Sequence, residues 1–149
     1  MQSEFRDRDA TAGMCQCGAV RYRIAAGPAL ETICGCRMCQ RASGNFVSAF
    51  YMVADDQVVW EGTPPAIFAS SDVAERGFCA ACGTPLYFRE TGSGWTEFLA
   101  ATLRQGTPFD PKAHVRSADT PAWATHIGDI PVRDAEGAAV TRSHQAPEE

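Results

Sequence analysis

The sequence predicts a mainly β protein built from short antiparallel strands. Several segments are rich in aromatic and β-branched residues, and glycine, proline, asparagine or aspartate separates them. No long stretch shows the 3.6-residue period of an amphipathic helix. Short strands without intervening helices are typical of an antiparallel sheet. At 149 residues, 45% hydrophobic and 21% charged, the chain has the size and balance of one globular domain.

The clearest strand is AVRYRIA, residues 19–25, where Val20, Tyr22 and Ile24 alternate with two arginines. This alternation predicts a half-buried strand. The further strand candidates are, in chain order, NFVSAFYMV (45–53), VVWEG (58–62), AIFAS (66–70), PLYFRE (85–90) and WTEFLAATL (95–103). The last could instead be a helix, but its aromatic and β-branched start favours a strand. CQRASG predicts one short helical turn that ends at Gly44.

The chain divides into three parts by composition. Residues 1–12 predict a flexible leader, residues 13–133 a single folded domain, and residues 134–149, which are polar and contain proline, a disordered tail. The charged start lacks the apolar core of a secretory signal. The longest mostly apolar run, FVSAFYMVA, is about half of what a membrane-spanning helix needs. We therefore expect a cytoplasmic protein that does not associate with membranes.

The net charge of the chain indicates which class of partner is disfavoured. The formal charge is -5, and no run of lysine or arginine interrupts the acidic balance. Phosphate backbones are bound by basic faces, so this composition disfavours a nucleic-acid partner.

Seven cysteines dominate the chemistry of the sequence. They form a C-x-C pair, a C-x-C-x-x-C cluster and a C-x-x-C pair, comprising Cys15 and Cys17, then Cys34, Cys36 and Cys39, then Cys79 and Cys82. An odd number fits poorly with a full set of disulfides in one chain. Close cysteine clusters in a reducing compartment are more often metal ligands than redox thiols.

The spacing favours a division into four and three ligands. The two pairs come from distant parts of the chain and together would close a four-sulfur structural site. Gly18 and Gly83 follow these pairs and allow the backbone to turn there. The cluster Cys34, Cys36 and Cys39 would then hold a second metal with one open position, which is typical of catalytic zinc. We expect two Zn²⁺ ions per chain.

Other arrangements of these ligands stay open at this point. The three-cysteine loop could take a fourth ligand from Cys79 or Cys82, which would leave the other site short of one ligand, and His114 or His126 could close whichever site stays open. A redox pair at Cys36 and Cys39 is also possible. An iron–sulfur cluster normally needs four cysteines, which disfavours it on the three-cysteine loop. A zinc deaminase would need H-x-E or C-x-E and P-C-x-x-C motifs, which this sequence lacks.

Four segments resemble one known family. CQCGAVRYRI, CGCRMCQRASGNFVSAF, FCAACGTPLYF and HVRSADTPAWATHIGDIP are similar, in this order, to the glutathione-dependent formaldehyde-activating (GFA) enzymes and the related centromere protein V type proteins. The resemblance runs from about Met14 to Pro131. It implies a zinc-stabilised antiparallel β domain resembling the methionine-R-sulfoxide reductase fold. It also implies a structural zinc on the four-cysteine set and a second zinc on the three-cysteine set.

The resemblance implies a carbon–sulfur lyase that reversibly joins a small thiol such as glutathione to formaldehyde or a related small aldehyde. An open three-thiolate zinc suits a substrate thiolate, because zinc accepts soft ligands. We expect Arg37, Arg41, Ser43 and Asn45 to form part of the pocket rim, with Arg41 pairing with a substrate carboxylate. The alternative is a non-catalytic zinc-binding interaction or redox-sensitive module on the same fold.

Overall fold

The structure, a computed structural model, describes residues 4–134, 137 and 142–147. Within these residues lie eleven strands and one α-helix. In chain order they are β1 Arg6–Arg8, β2 Thr11–Met14, β3 Val20–Ile24, β4 Gly27–Cys34, α1 Arg37–Ser43, β5 Ser48–Ala54, β6 Val58–Gly62, β7 Ala66–Ala69, β8 Ala74–Phe78, β9 Pro85–Glu90, β10 Trp95–Leu99 and β11 Ala113–Val115. No helix in this part of the chain is long and apolar enough to cross a membrane.

The strands form two sheets. Seven strands of the larger sheet follow the order β1-β4-β5-β10-β9-β8-β7, and β11 adds an eighth strand beside β4. The smaller sheet has the order β2-β3-β6. Neighbouring strands are antiparallel, except that β11 runs parallel to β4. The prediction of a mainly antiparallel β protein is therefore confirmed.

The main core lies between the smaller sheet and one face of the larger sheet. Val20, Tyr22 and Ile24 are buried on β3 while the arginines between them are exposed, as the alternation predicts. The Tyr22 ring stacks on Phe98 of β10, with ring centroids 4.2 Å apart. Aromatic contacts of this kind add to the stabilisation that apolar burial gives.

Buried residues pack against both faces of the larger sheet. Successive strand residues point to opposite faces, so Tyr51 joins the main core whereas Phe50 faces the other way. Phe50 and Leu99 form a second, smaller core with Cys39 of α1. The main core includes Cys15 and buried Cys79. The two groups of cysteines consequently lie against opposite faces of one sheet.

Some strands differ from the sequence-based expectations. Residues 6–8 and 11–14 are β1 and β2, so the expectation of a flexible leader over residues 1–12 is wrong for these segments. The physical reason is pairing: β1 bonds to β4 and β2 bonds to β3. Strands β4, β8 and β11 were not predicted, and β10 ends at Leu99 because Ala100–Thr102 form a 3-10 helix.

The remaining predictions concern the helical turn and the tail. The short helix is confirmed as α1, and Gly44 ends it in the left-handed conformation with φ 66°. Half of the tail predicted over residues 134–149 falls outside the described residues. Within the described part, the N–H of Ala146 donates to the carbonyl of Gln16 at 2.8 Å.

Candidate metal centres

The first centre forms where two turns meet. One turn joins β2 to β3 and carries Cys15 and Cys17, and the other joins β8 to β9 and carries Cys79 and Cys82. The four Sγ atoms all lie within 4.8 Å of one another. The Sγ atom of Cys17 is 3.6 Å from that of Cys15 and 3.8 Å from that of Cys79. Sulfurs at about 2.3 Å from a tetrahedral zinc ion would be about 3.8 Å apart, so this geometry fits zinc.

Two glycines give these turns their shape. Gly18 and Gly83 have φ angles of 73° and 77°, in the left-handed region that glycine adopts at little cost. Their N–H groups donate to the carbonyl oxygens of Cys15 and Cys79 at 3.0 and 2.8 Å. The prediction that glycine bends the backbone after each pair is confirmed. Each turn thereby brings two sulfurs to the same side.

Neighbouring polar groups contact two of the four sulfurs. The N–H of Val20 donates to Cys15 Sγ at 3.3 Å, and Thr84 Oγ1 lies 3.1 Å from Cys82 Sγ. Burial raises the pKa of Cys82, but hydrogen bonds from Thr84 outweigh it and lower the pKa to about 6. Cys15 is 1% exposed, so an unpaired thiolate there would be costly without a cation.

The second centre is built on the β4–α1 connection. Cys34 is the last residue of β4, Cys36 is the N-cap of α1, and Cys39 lies in the first turn of the helix. The three Sγ atoms lie within 4.8 Å of one another. The N–H of Cys39 donates to Cys36 Sγ at 3.4 Å, so the helix start folds the loop back upon itself. Cys34 and Cys36 are half-buried and Cys39 is buried.

The pKa values of the thiols in the second centre shift in different directions. Burial raises the pKa of Cys39 to about 12, although Arg76 acts in the opposite direction. For Cys36 burial is outweighed by the Cys39 N–H and neighbouring hydrogen bonds, so its pKa lies below the ordinary value. Arg76 Nη2 lies 3.5 Å from Cys39 Sγ. A bound cation would favour the thiolate form of all three cysteines.

Gln40 fixes the loop that carries Cys34 and Cys36. Its buried side-chain amide donates to the carbonyls of Gly35 and Asp119 at 2.7 and 2.9 Å. A Cβ atom on Gly35 would approach Thr120 Oγ1 to 1.9 Å, so a larger residue does not fit between the two cysteines. The segment after β11, which contains Asp119 and Thr120, thus packs against the loop that carries Cys34 and Cys36.

The residues predicted for the substrate rim lie on α1 or just after it. Arg37, Arg41 and Ser43 line a groove of about 840 Å³, which is connected to the second centre through Arg76, a lining residue that contacts Cys39. The Ser43 hydroxyl donates to a carbonyl oxygen of the helix at 2.9 Å. Asn45 is exposed and does not line this groove, and its side-chain oxygen accepts the N–H of Phe46 at 2.8 Å.

The histidines considered as ligands belong to neither of the two candidate metal groups. His114 Nε2 lies 3.2 Å from Thr120 Oγ1, and His126 Nδ1 lies 3.8 Å from an Asp129 carboxylate oxygen. Among the described residues, the two candidate metal groups contain cysteines alone. The geometry therefore favours a group of four and a separate group of three, without exchange of ligands between them.

Two contacts of the second centre were missed by sequence reasoning. Gln40 gives no signal, because a polar residue in a short helix is usually solvated. Arg76 lies on β8, whose sequence AERGF lacks an apolar alternation, and it is distant in sequence from Cys39. If β8 had been predicted as the strand before the C-x-x-C turn, Arg76 would have been placed on the sheet against which Cys39 packs.

Comparison with known proteins agrees with this geometry. Residues 10–119 match the family model of the glutathione-dependent formaldehyde-activating enzyme, GFA. The chain belongs to the GFA family. The match includes all seven cysteines, so both candidate centres of this GFA-family chain lie inside the matched region.

Curated relatives of this GFA-family chain are distant. A Halomonas elongata protein, provisionally named a glutathione-dependent formaldehyde-activating enzyme, is 26% identical over 123 residues, which are 74% of this chain and 77% of that protein. An uncharacterised lyase of Schizosaccharomyces pombe is 32% identical over 94 residues, or 63% and 68% of the two chains. A crystal structure of a Rhodobacter sphaeroides protein shares the fold, with a TM-score of 0.53, 18% identity, and coverage of 70% of this chain and 99% of that one.

Proposed function

We propose that this protein is a zinc-dependent carbon–sulfur lyase that reversibly joins a small, glutathione-like thiol to formaldehyde or a related small aldehyde. The observation that carries the proposal is the separation of a four-thiol group from a three-thiol group whose Cys39 contacts Arg76, a residue that lines a groove. Four thiolates complete a tetrahedral shell, whereas three leave one position for a substrate atom. Membership of the GFA family and a relative named as a lyase support the same reaction class.

The ligand sets follow from this separation. Cys15, Cys17, Cys79 and Cys82 would hold a structural zinc, and Cys34, Cys36 and Cys39 the reactive one. Zinc at the second centre would supply a Lewis acid that keeps an incoming thiol deprotonated near neutral pH. Its thiolate ligands come from one short loop, which Gln40 and the segment after β11 hold in place.

The protein's own residues would bind the organic parts of the substrate. Arg37 and Arg41 line the groove and provide cationic groups for a carboxylate of the thiol. Ser43 lines the same groove, and Asn45 follows the helix end as an exposed polar group. We propose that Arg37, Arg41 and Ser43 form the binding rim and orient the thiol for attack on the aldehyde carbon, while Asn45 lies outside the groove.

The chemistry itself needs no oxidant. In the joining direction a carbon–sulfur bond forms, the carbonyl π electrons move to oxygen, and that oxygen takes a proton. In the reverse direction the hydroxyl loses its proton, the carbonyl re-forms, and sulfur keeps the bonding electron pair. Water at the open groove can accept or return this proton, since the second centre is only half-buried.

The test measures, on one protein preparation, the zinc content per chain and the rate at which a thiol and an aldehyde exchange with their adduct. Protein with two zinc ions per chain should accelerate exchange between glutathione, formaldehyde and their adduct in NMR, and Cys36→Ser should abolish the acceleration. An unchanged exchange rate with the two-zinc protein would exclude formaldehyde as substrate. Retained zinc without exchange of any small aldehyde would support the alternative, a zinc-binding interaction or redox-sensitive module.

A further inference from the structure

An exposed apolar wall flanks the groove at the second centre. Met38 of α1 and Phe68 of β7 line it and are 52% and 62% exposed. Phe68 pairs across the sheet with Arg76, so both side chains leave the same face. The Arg76 guanidinium then reaches Cys39 on that face. Phe68 therefore stands beside the candidate metal loop.

The helix and the sheet edge come together at this wall. The Ser70 hydroxyl, just after β7, lies 3.5 Å from Met38 Sδ and accepts a hydrogen bond from Arg76 at 3.1 Å. Met38 and Phe68 thus border one concave space rather than two separate surfaces. Large apolar side chains exposed in a concave site are typical of ligand pockets.

The charges around the groove are of one sign. Arg37, Arg41 and Arg76 line it, and its lining contains no carboxylate. None of the three forms an ion pair with a described carboxylate, whereas arginines elsewhere do, as at Arg8 and Arg89. In a protein of net charge -5 this cationic groove is a local exception, and it suits an anionic ligand.

Resting on the proposed function, we propose that the groove selects thiol–aldehyde adducts whose aldehyde-derived carbon carries an apolar chain or ring. The carboxylates of the thiol part would pair with Arg37 and Arg41, and the apolar substituent would cover Met38 and Phe68. A hydroxymethyl group from formaldehyde is too small to shield these side chains from water. A groove of about 840 Å³ leaves room for the larger substituent.

A second copy of the chain is the competing occupant. Strand β7 is the edge of the larger sheet, and edge strands can pair with another chain. Such pairing would use backbone groups and would need no arginines. The guanidinium groups around the apolar wall, which form no ion pair with a described carboxylate, favour a small anionic molecule instead.

Calorimetric titration of the zinc-loaded protein with two stable thioethers tests the proposal. S-hexylglutathione should bind about tenfold more tightly than S-methylglutathione, because its added methylenes cover apolar surface. Phe68→Ala should reduce this ratio to about two. Val59→Ala removes an equally exposed apolar side chain from β6 and should leave the ratio unchanged.

Equal binding of the two thioethers, or no binding of either, would overturn this proposal. Formaldehyde exchange, measured on the same protein, separates that failure from failure of the lyase itself. Accelerated exchange with equal thioether binding would overturn the apolar preference alone, and absent exchange with a tenfold ratio would overturn the formaldehyde reaction alone. If light scattering shows a dimer that Phe68→Ala dissociates without changing the ratio, the wall binds a second copy and the proposal is wrong.

Discussion

Arg76 donates a hydrogen bond to the sulfur of Cys39 at 3.5 Å, which joins β8 to the metal loop across the face of the larger sheet. The guanidinium also lies over the Phe88 ring, 4.9 Å from its centroid. This contact places a positive charge next to Cys39, where it opposes the rise in pKa that burial causes.

Replacing Arg76 should weaken the second centre specifically. Arg76→Gln removes the charge beside Cys39, and we expect metal affinity there to fall about 10- to 100-fold, with Arg76→Lys intermediate. Competition titration with cobalt and a chromophoric chelator measures the affinity, and the thiolate-to-cobalt absorption band should shift. Arg89→Gln is a matched control, because Arg89 lies over Tyr87 and contacts no cysteine. Equal affinities for the second metal in wild type and Arg76→Gln would contradict the prediction.

Replacing Cys36 should remove one metal and spare the fold. Cys36→Ser deletes a half-buried ligand of the three-thiol group, which lies on the opposite face from the main core. We expect one zinc ion per chain instead of two by elemental analysis, with unchanged circular dichroism. Loss of both metals together would show that the two groups are not independent.

Replacing Cys79 should instead destabilise the whole domain. Cys79 is buried in the main core and links the β8–β9 turn to the turn after β2. Metal held a thousandfold above its dissociation constant stabilises a fold by about 4 kcal/mol, and Cys79→Ser should lose much of this. Thermal unfolding of Cys79→Ser and Cys36→Ser in the same zinc buffer measures the difference. Equal melting temperatures would contradict a structural role for the four-thiol group.

The buried ion pair between Arg8 and Glu31 should contribute strongly to stability. Arg8 donates two hydrogen bonds to the Glu31 carboxylate, at 2.6 and 2.9 Å, and Glu31 is 4% exposed. Arg8→Ala would leave a buried carboxylate without this cation, at a cost of about 3–5 kcal/mol. Arg6→Ala breaks an exposed ion pair with Asp110 and should cost far less, because solvent screens exposed charges. Urea unfolding compares the two, and similar losses would refute the distinction.

Glu97 should make stability fall as pH rises. It lies on β10 between Met52 and Phe88, and burial, with repulsion from Glu90, raises its pKa from 4.5 to about 7, against the opposing effect of Arg76. Between pH 4.5 and about pH 7, Glu97 keeps a proton in the folded state that it has released in the unfolded state. The resulting stabilisation is complete below pH 4.5 and is lost as pH rises through 7.

Glu97→Gln should remove this dependence. Relative to wild type, the variant should gain up to about 3 kcal/mol of unfolding free energy between pH 5 and pH 8. Urea titrations of both proteins at the two pH values measure this gain, and protonation of the cysteines cancels in the comparison. A constant difference between the two proteins at both pH values would show that Glu97 titrates normally.

The sequence predicted those elements whose pattern is local. Strand β3 alternates cleanly because one face meets the main core and the other meets water. Strand β4 escaped prediction although it lies inside the larger sheet, since it begins with Gly-Pro and buries Glu31, whose charge is matched by the distant Arg8. The same holds for β1, whose charged sequence resembles a loop until β4 is there to pair with it.

The candidate site likewise has features that the sequence predicts and features that depend on long-range packing. Cysteine spacing and neighbouring glycines suffice to group the sulfurs, because each pair or triplet lies in one turn or loop. Arg76 and the groove beyond it depend on how β7 and β8 align with β9 and β10. Such register is set by packing over long sequence separations, and residue spacing does not encode it.

The order of the cysteines along the chain separates the two centres in time during synthesis. The three-thiol loop is complete once residue 39 has left the ribosome, whereas the four-thiol group must wait for residue 82. At translation rates of about 5–20 residues per second, this interval is roughly 2–9 s. The three-thiol loop is therefore the first complete thiol cluster that a nascent chain offers to a metal ion, and the four-thiol group is completed later.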